Sequence, residues 1–327
     1  MMTIEEILAK LDTYDYSTFQ REALQAAILQ QEAITPALLS IIERIANNPQ
    51  FLDENPDYMG FTYALYLLAQ FREKRAYPLI VQYFAQLGTE IEALDATGDI
   101  VTEDLNRILA SVCQGDLSLI KQLIEDSKQN EFVRSAALKS LVVLYNGDQL
   151  TREELITYFQ TLINDKLEQE EDPSFWGALA NCCYDIYPEE LYDALVDCFE
   201  RDLVDIFMID KDDIDHCMRM AKEQILAKLK EDRHSQFIDN VITEMEWWAC
   251  FHPEPPSTRS KTIPSAGFDY HRPTNYKPRE AKTGRNDPCP CGSGKNIRSA
   301  VYINWFCRKY SKALSSTSAD KVIVLML

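Results

Sequence analysis

The sequence predicts an all-α protein, an α-solenoid of antiparallel helix pairs followed by a disordered basic tail. Residues 1–250 hold only six glycines and six prolines, and long helix interiors need both to be rare. Apolar residues recur at helical period, clearly so at Leu191, Ala194, Leu195, Cys198, Phe199 and Leu203. Helix-start residues stand ahead of the apolar runs, and no run alternates apolar and polar residues as a half-buried strand would.

Thr3 with Glu6, Ser17 with Gln20, and Thr151 with Glu154 have capping-box spacing, in which each side chain satisfies the other's backbone N–H. Thr35-Pro36 and Asp172-Pro173 put a capping residue before a proline at the first helical position. Helix pairs are expected at 57–87, 102–128, 131–165 and 173–203. The stretch from Asn130 to Leu141 starts polar, continues as Val133-Arg134 and then turns to small residues. That is the character of a HEAT-type helix, and the pair lengths suit a HEAT- or armadillo-like array. Alanines at 64, 69, 110, 136, 137 and 178 allow close helix approach. Stacked pairs bury a continuous core and leave a long surface for a partner. Glu244, Glu246, Trp247, Trp248, Phe251 and His252 form the densest aromatic patch. It is expected as a capping helix over the last repeat, with a partner-binding patch as the alternative.

Charge divides the chain. Of its 33 Lys and Arg and 52 Asp and Glu, residues 251–327 hold 13 and 5, leaving 20 and 47 for residues 1–250. A body so acidic repels phosphates, which argues against nucleic-acid binding by residues 1–250 and leaves it open to the tail. Eight of the fourteen prolines fall between Phe251 and Pro290, as expected of a flexible basic linker over 251–283. The start of the chain lacks the cationic and apolar blocks of a signal peptide. No apolar run approaches the ~20 residues of a membrane span. The nine cysteines show no framework spacing. A cytoplasmic location is expected.

Residues 284–295 read Gly-Arg-Asn-Asp-Pro-Cys-Pro-Cys-Gly-Ser-Gly-Lys. Cys289 and Cys291 stand behind a stiff turn, the way small zinc modules present two thiolates. The stretch resembles the SEC-C motif, a zinc-binding module known from the tail of the bacterial preprotein translocase motor. The resemblance implies four cysteine ligands in the order C-x-C-x8-C-C, and by analogy recruitment of a chaperone or contact with the ribosome. The second pair should fall at 300 and 301, where Ala300 and Val301 stand instead. The family's Lys-Lys-Tyr-Lys-Lys-Cys-Cys can be encoded AAA AAA TAT AAG AAG TGC TGT. Loss of one A yields Lys-Asn-Ile-Arg-Ser-Ala-Val, the residues found at 295–301. A single-base frameshift at Lys295 is therefore expected, with 296–327 an out-of-frame, disordered tail. Resequencing tests it. Cys289 and Cys291 alone form half a site, so zinc is expected absent or weakly bound, with Cys307 and His271 the nearest substitutes. The order of acidic helical body, basic linker and SEC-C stub resembles the DUF1186 family, which implies an armadillo-type fold and no particular activity.

Other candidates weigh toward bland readings. Asp210 to Asp215 invites a calcium loop, but Asp215 and Ala221 stand where glycine and the twelfth-position acid belong; a solvated helix start is expected. Gly292-Ser293-Gly294-Lys295 lacks the rest of a phosphate loop. Cys182, Cys183 and Cys198 are expected as core packing. His216 and Cys217, adjacent on a helix, point about 100° apart, and His234 and His252 belong to no motif. No catalytic motif is found. The expectation is a non-enzymatic adaptor that binds a protein partner. The alternatives are an enzyme with a carboxylate and histidine site on the inner face of the array, and nucleic-acid or ribosome contact through the basic tail.

Overall fold

The computed structural model describes residues 2–12, 18–89, 91–167 and 172–252. The chain divides into two units, 1–257 and 258–327, and the described residues all belong to the first. Among them are sixteen α-helices and no strand, so the all-α expectation holds.

Each of the four spans expected to hold a helix pair holds two main α-helices. They are α5 (Gly60–Gln70) and α6 (Ala76–Ala85), α8 (Leu105–Cys113) and α9 (Ser118–Glu125), α10 (Glu131–Asn146) and α11 (Arg152–Thr161), and α12 (Pro173–Asp185) and α13 (Tyr192–Glu200). Ahead of them lie α1 (Ile4–Leu11), α2 (Arg21–Leu29), α3 (Gln31–Asn47) and α4 (Gln50–Glu54), and a short α7 (Ile100–Glu103) precedes α8. Beyond them come α14 (Lys211–Arg219), α15 (Lys222–Glu231) and α16 (Val241–Met245). Packing follows chain order: α3 lies on α5 and α6, α5 on α8, α8 and α9 on α10, and α10 on α12. The six alanines expected at close approaches are all buried.

Capping boxes close α1 at Thr3 and Glu6 and α11 at Thr151 and Glu154. Asp172 caps α12 by accepting from the Ser174 N–H, with Pro173 in the first turn. Two expected starts are corrected. The helix expected after Ser17 begins at Arg21, behind Gln20, which makes no side-chain cap bond; Ser17 itself lies outside the described residues. Thr35-Pro36 does not open a helix, since Pro36 lies inside α3. The Thr35 hydroxyl turns back to the Gln31 carbonyl at 2.7 Å, a bond a threonine makes mid-helix.

The largest departure is at the C-terminal end of the body. After α15 and a 3₁₀ turn at Arg233–Ser235 the chain becomes extended and runs back against chain order. The turn packs on α10, and α16 packs on α2 and α5. Trp248 meets the Tyr66 ring edge-on at 5.6 Å, and Phe251 meets Phe19 at 5.2 Å. The aromatic patch therefore seals the first helices rather than capping the last repeat. The expectation failed because it assumed that the chain leaves the array where the array ends. The linker from 253 onward, Cys289, Cys291, Cys307, His271 and residues 284–327 lie outside the described residues.

Candidate functional site

Residues 232–252 form a strap, and the face beneath it is built from helix ends. Arg72, just past α5, Gln114, the C-cap of α8, and Asp148, just past α10, are non-glycine residues with φ of 54°, 47° and 58°. Left-handed backbone costs such residues about 1–2 kcal/mol, so three successive helices terminate in the same strained way. Their chain reversals leave polar side chains facing the strap.

Those side chains bond to the strap's main chain. From α10, Asn146 Nδ2 donates to the carbonyls of Leu229 at 3.1 Å and Ser235 at 2.8 Å. From α8, Asn106 Nδ2 donates to the His234 carbonyl at 2.9 Å, and Arg107 Nε to the Gln236 carbonyl at 2.8 Å. Ser111 Oγ accepts from the Ile238 N–H at 3.2 Å. From the end of α5, Arg72 Nη1 donates to the Ile238 carbonyl at 2.7 Å, and Gln70 Oε1 accepts from the Val241 N–H at 2.8 Å. Asn106, Arg107, Ser111 and Asn146 are buried, so each bond offsets a desolvation cost.

A charge network pins the middle. Arg107 Nη2 lies 2.6 Å from Glu244 Oε1 and Nη1 lies 2.7 Å from Asp104 Oδ1, with the Arg107 side chain 2% exposed. Tyr66 donates to Asp104 at 2.5 Å. Burial works against the Arg107 charge, but Glu244 and Asp104 more than offset it and hold its pKa above the usual value. Burial, then the Asp104 charge, pushes the Tyr66 hydroxyl far up, so it keeps its proton and donates it to Asp104. The Phe237 ring presses against Gly147, where an added Cβ would fall 2.1 Å from it. Beside the strap lies an open cavity of about 510 Å³ lined by Arg72, Ser111, Gln114, Gly115 and Gln149. Its lining carries amides and one arginine, which suits binding of polar groups and offers no acid–base pair.

The residues singled out from sequence are scattered. Asp210 is the N-cap of α14 in a capping box with Asp213, and Asp215 bonds Lys211 and Tyr192, so the solvated helix start is what the structure shows. Among the described residues no group of three His, Cys, Asp or Glu is placed to hold a metal ion. Cys182, Cys183 and Cys198 are buried. Burial raises all three thiols, Cys198 to about 11, as for small apolar packing groups. Cys217 is buried while His216 faces solvent. Two carboxyls are raised: Glu131 to about 7, by burial and then by Asp172, and Asp185 to about 6, by burial. Neither lines the cavity. No helix among the described residues is long and apolar enough to cross a membrane.

Sequence reasoning missed the strap-binding set. The sequence of α8 reads as amphipathic, with Asn106, Arg107 and Ser111 on one polar side, so nothing in it marks that side as covered. The structure buries all nine residues of the helix, and each of the three then needs a partner.

A family model described as "Protein of unknown function (DUF1186)" matches residues 2–252, and a SEC-C motif model matches residues 285–296. Proteins named "Uncharacterized protein" from Chlamydia trachomatis serovar D and Chlamydia muridarum are each 41% identical over 249 residues. Those matches cover 76% of this chain and 96% and 97% of the two relatives. No solved structure matches the chain.

Proposed function

This chain belongs to the DUF1186 family, and from that premise we propose that its helical body, a HEAT- or armadillo-like array, is a non-enzymatic adaptor that binds a protein partner. The observation that carries this reading is a rigid apolar apex on an acidic surface, between α13 and α14. Ile206 is 62% and Phe207 45% exposed. Their turn is fixed, not loose: the Asp205 N–H donates to the Pro173 carbonyl at 3.0 Å, and Asp205 Oδ1 accepts from the Phe207 N–H at 2.9 Å. Val204 and Ile209 on either side are buried, so the core holds the apex out. Asp202, Asp205, Asp210, Asp212 and Asp213 surround it in sequence. Large exposed apolar side chains ringed by carboxylates suit a partner with an apolar anchor and a basic rim.

A photo-crosslinking residue at position 206, compared with one at exposed Glu22, tests this in cells of the source organism. A discrete adduct at 206 that fades with salt and is lost in Phe207→Ser is expected. Equal labelling at the two positions overturns the reading.

Zinc enters only through the C-terminal motif. Structural zinc requires four ligands, and Cys289 and Cys291 supply two thiolates, so the donor set falls short and zinc binding by this chain is absent or weak. One tightly held zinc per chain in metal analysis would contradict that. The cytoplasm, where such thiols stay reduced, is the compartment proposed.

A further inference from the structure

We propose that the face of α5, α8 and α10 is a groove for a polypeptide segment that enters extended and ends in a helical turn, that residues 234–246, with α16 as that turn, are its resident occupant, and that a partner's segment of the same chemistry exchanges with it. That chemistry is an aromatic, an aliphatic and a carboxylate in succession, with a second carboxylate five residues on, as in Phe237, Ile238, Asp239 and Glu244. The idea deepens the adaptor reading and rests on it.

The groove reads main chain first. Gln70, Arg72, Asn106, Arg107, Ser111 and Asn146 contact backbone N–H and carbonyl groups from 229 to 241. Such contacts are indifferent to the occupant's side chains and transfer to any chain laid in the same register. Selectivity comes from charge: Arg72 pairs with Asp239 at 2.5 Å and Arg107 with Glu244 at 2.6 Å. A purely structural seam gains more from well-packed apolar residues than from buried polar groups. Six polar side chains on one face, four of them buried, are what a polypeptide groove requires.

Two further observations favour exchange. Asn146 Oδ1 is buried without a hydrogen-bond partner, because Ser235 of the strap and Leu229 of α15 offer its amide two carbonyls and no N–H. An incoming segment that places an N–H there binds better than the resident. The cavity shares Arg72 and Ser111 with the strap's contacts, so a second segment has room alongside before the first leaves. The resident's advantage is its tether, which raises its effective concentration, and loosening the strap should uncover the site.

Ile238→Ala is the loosening variant. It removes an anchor of the strap that is fully buried and alters no side chain of the groove. A fluorescein-labelled peptide of residues 234–246 with the parent sequence is titrated into the full chain and followed by anisotropy, with hydrogen exchange reporting the strap. Weak binding to the parent chain, at least tenfold tighter binding to Ile238→Ala, and loss of that gain when Arg72→Ala is added are expected. Phe237→Ala, which removes the ring that presses on Gly147, should reproduce the gain. Strap amides that lose protection in either variant without any gain in peptide binding overturn the proposal, as does a gain that Arg72→Ala leaves intact. Failure here with a partner still captured at position 206 leaves the adaptor reading standing, whereas loss of the adduct with peptide exchange intact removes the apex and keeps the groove.

Discussion

Arg107 is the residue on which most of the body's polar interior depends. It sits on α8, is buried, and holds two carboxylates and two strap carbonyls at once. Removing one partner from such a cluster leaves the others desolvated and unpaired, which costs about 3–5 kcal/mol. Arg107→Ala should therefore lower the urea midpoint far more than Arg201→Ala, whose exposed i,i+4 pair with Asp197 is worth little. Comparable losses in the two variants would show the network to be passive. Glu131 makes a second residue-scale prediction. Its carboxyl titrates near 7 in the fold against an ordinary 4.5, because it is buried and faces Asp172. Between those values the folded chain holds a proton that the unfolded chain has released, so stability falls as pH rises through that window. Asp185, raised from 3.8 to about 6, adds to the fall in its lower part. Depressed carboxyls such as Glu154 and Asp126, held down by Thr151 and Gln129, reverse the trend in more acid solution. Thermal melts should peak near pH 5 and decline toward pH 7.5, and Glu131→Gln should flatten the decline. An unchanged slope in that variant would refute the assignment.

Helix beginnings closed by a side-chain cap were legible and helix endings were not, for a physical reason. A start is written locally, by an oxygen-bearing side chain two or three residues before the N–H groups it satisfies, as at Thr3, Thr151, Asp172 and Asp210. An end in this fold is finished from elsewhere. Arg134 donates to the Ile124 carbonyl at the end of α9, and Arg152 to the Ile186 and Tyr187 carbonyls past α12. Lys230 donates to the Asn146 carbonyl at the end of α10. With distant cations on the open carbonyls, glycine is not required at the turns, and Arg72, Gln114, Asp148 and Tyr187 take the left-handed position instead. Glycine stands beside two of those ends, Gly115 after Gln114 and Gly147 before Asp148, but the four left-handed residues named are not themselves the glycine the local pattern would ask for. The side chain of Asp148 is 90% exposed and reaches only Lys230 at 3.6 Å, so its strain is poorly compensated. Asp148→Gly should stabilise the body by about 0.5–1 kcal/mol, the left-handed cost relieved less the added freedom of the unfolded glycine. A shift of the urea midpoint at constant m-value measures it, and a downward shift would mean that the aspartate is held by more than its backbone.

At the scale of the whole molecule, the helices inside the four expected spans were legible because each buries an apolar stripe at a period the sequence displays. The strap was not, because residues 236–240 have no period and are held in place by side chains more than a hundred positions earlier. That return path makes the body a closed unit. Ile238, Val241, Ile242 and Met245 are buried against helices near the start of the chain, so the last segment of the body completes the core of its first. A chain ending at His252 should therefore keep the far-UV spectrum and unfolding midpoint of the full chain. One ending at Asp232 strands Arg107, Asn106 and Arg72 and bares the apolar faces of α2, α5 and α8. Burying four such side chains contributes about 1.5–3 kcal/mol each, comparable in sum with the whole stability of an ordinary domain, so the shorter chain should not fold cooperatively. Supplying residues 233–252 as a separate peptide should restore the transition in proportion to its concentration. A cooperative melt from the shorter chain alone would show that the strap is an ornament on a finished core, and the groove beneath it would then be closed by something else.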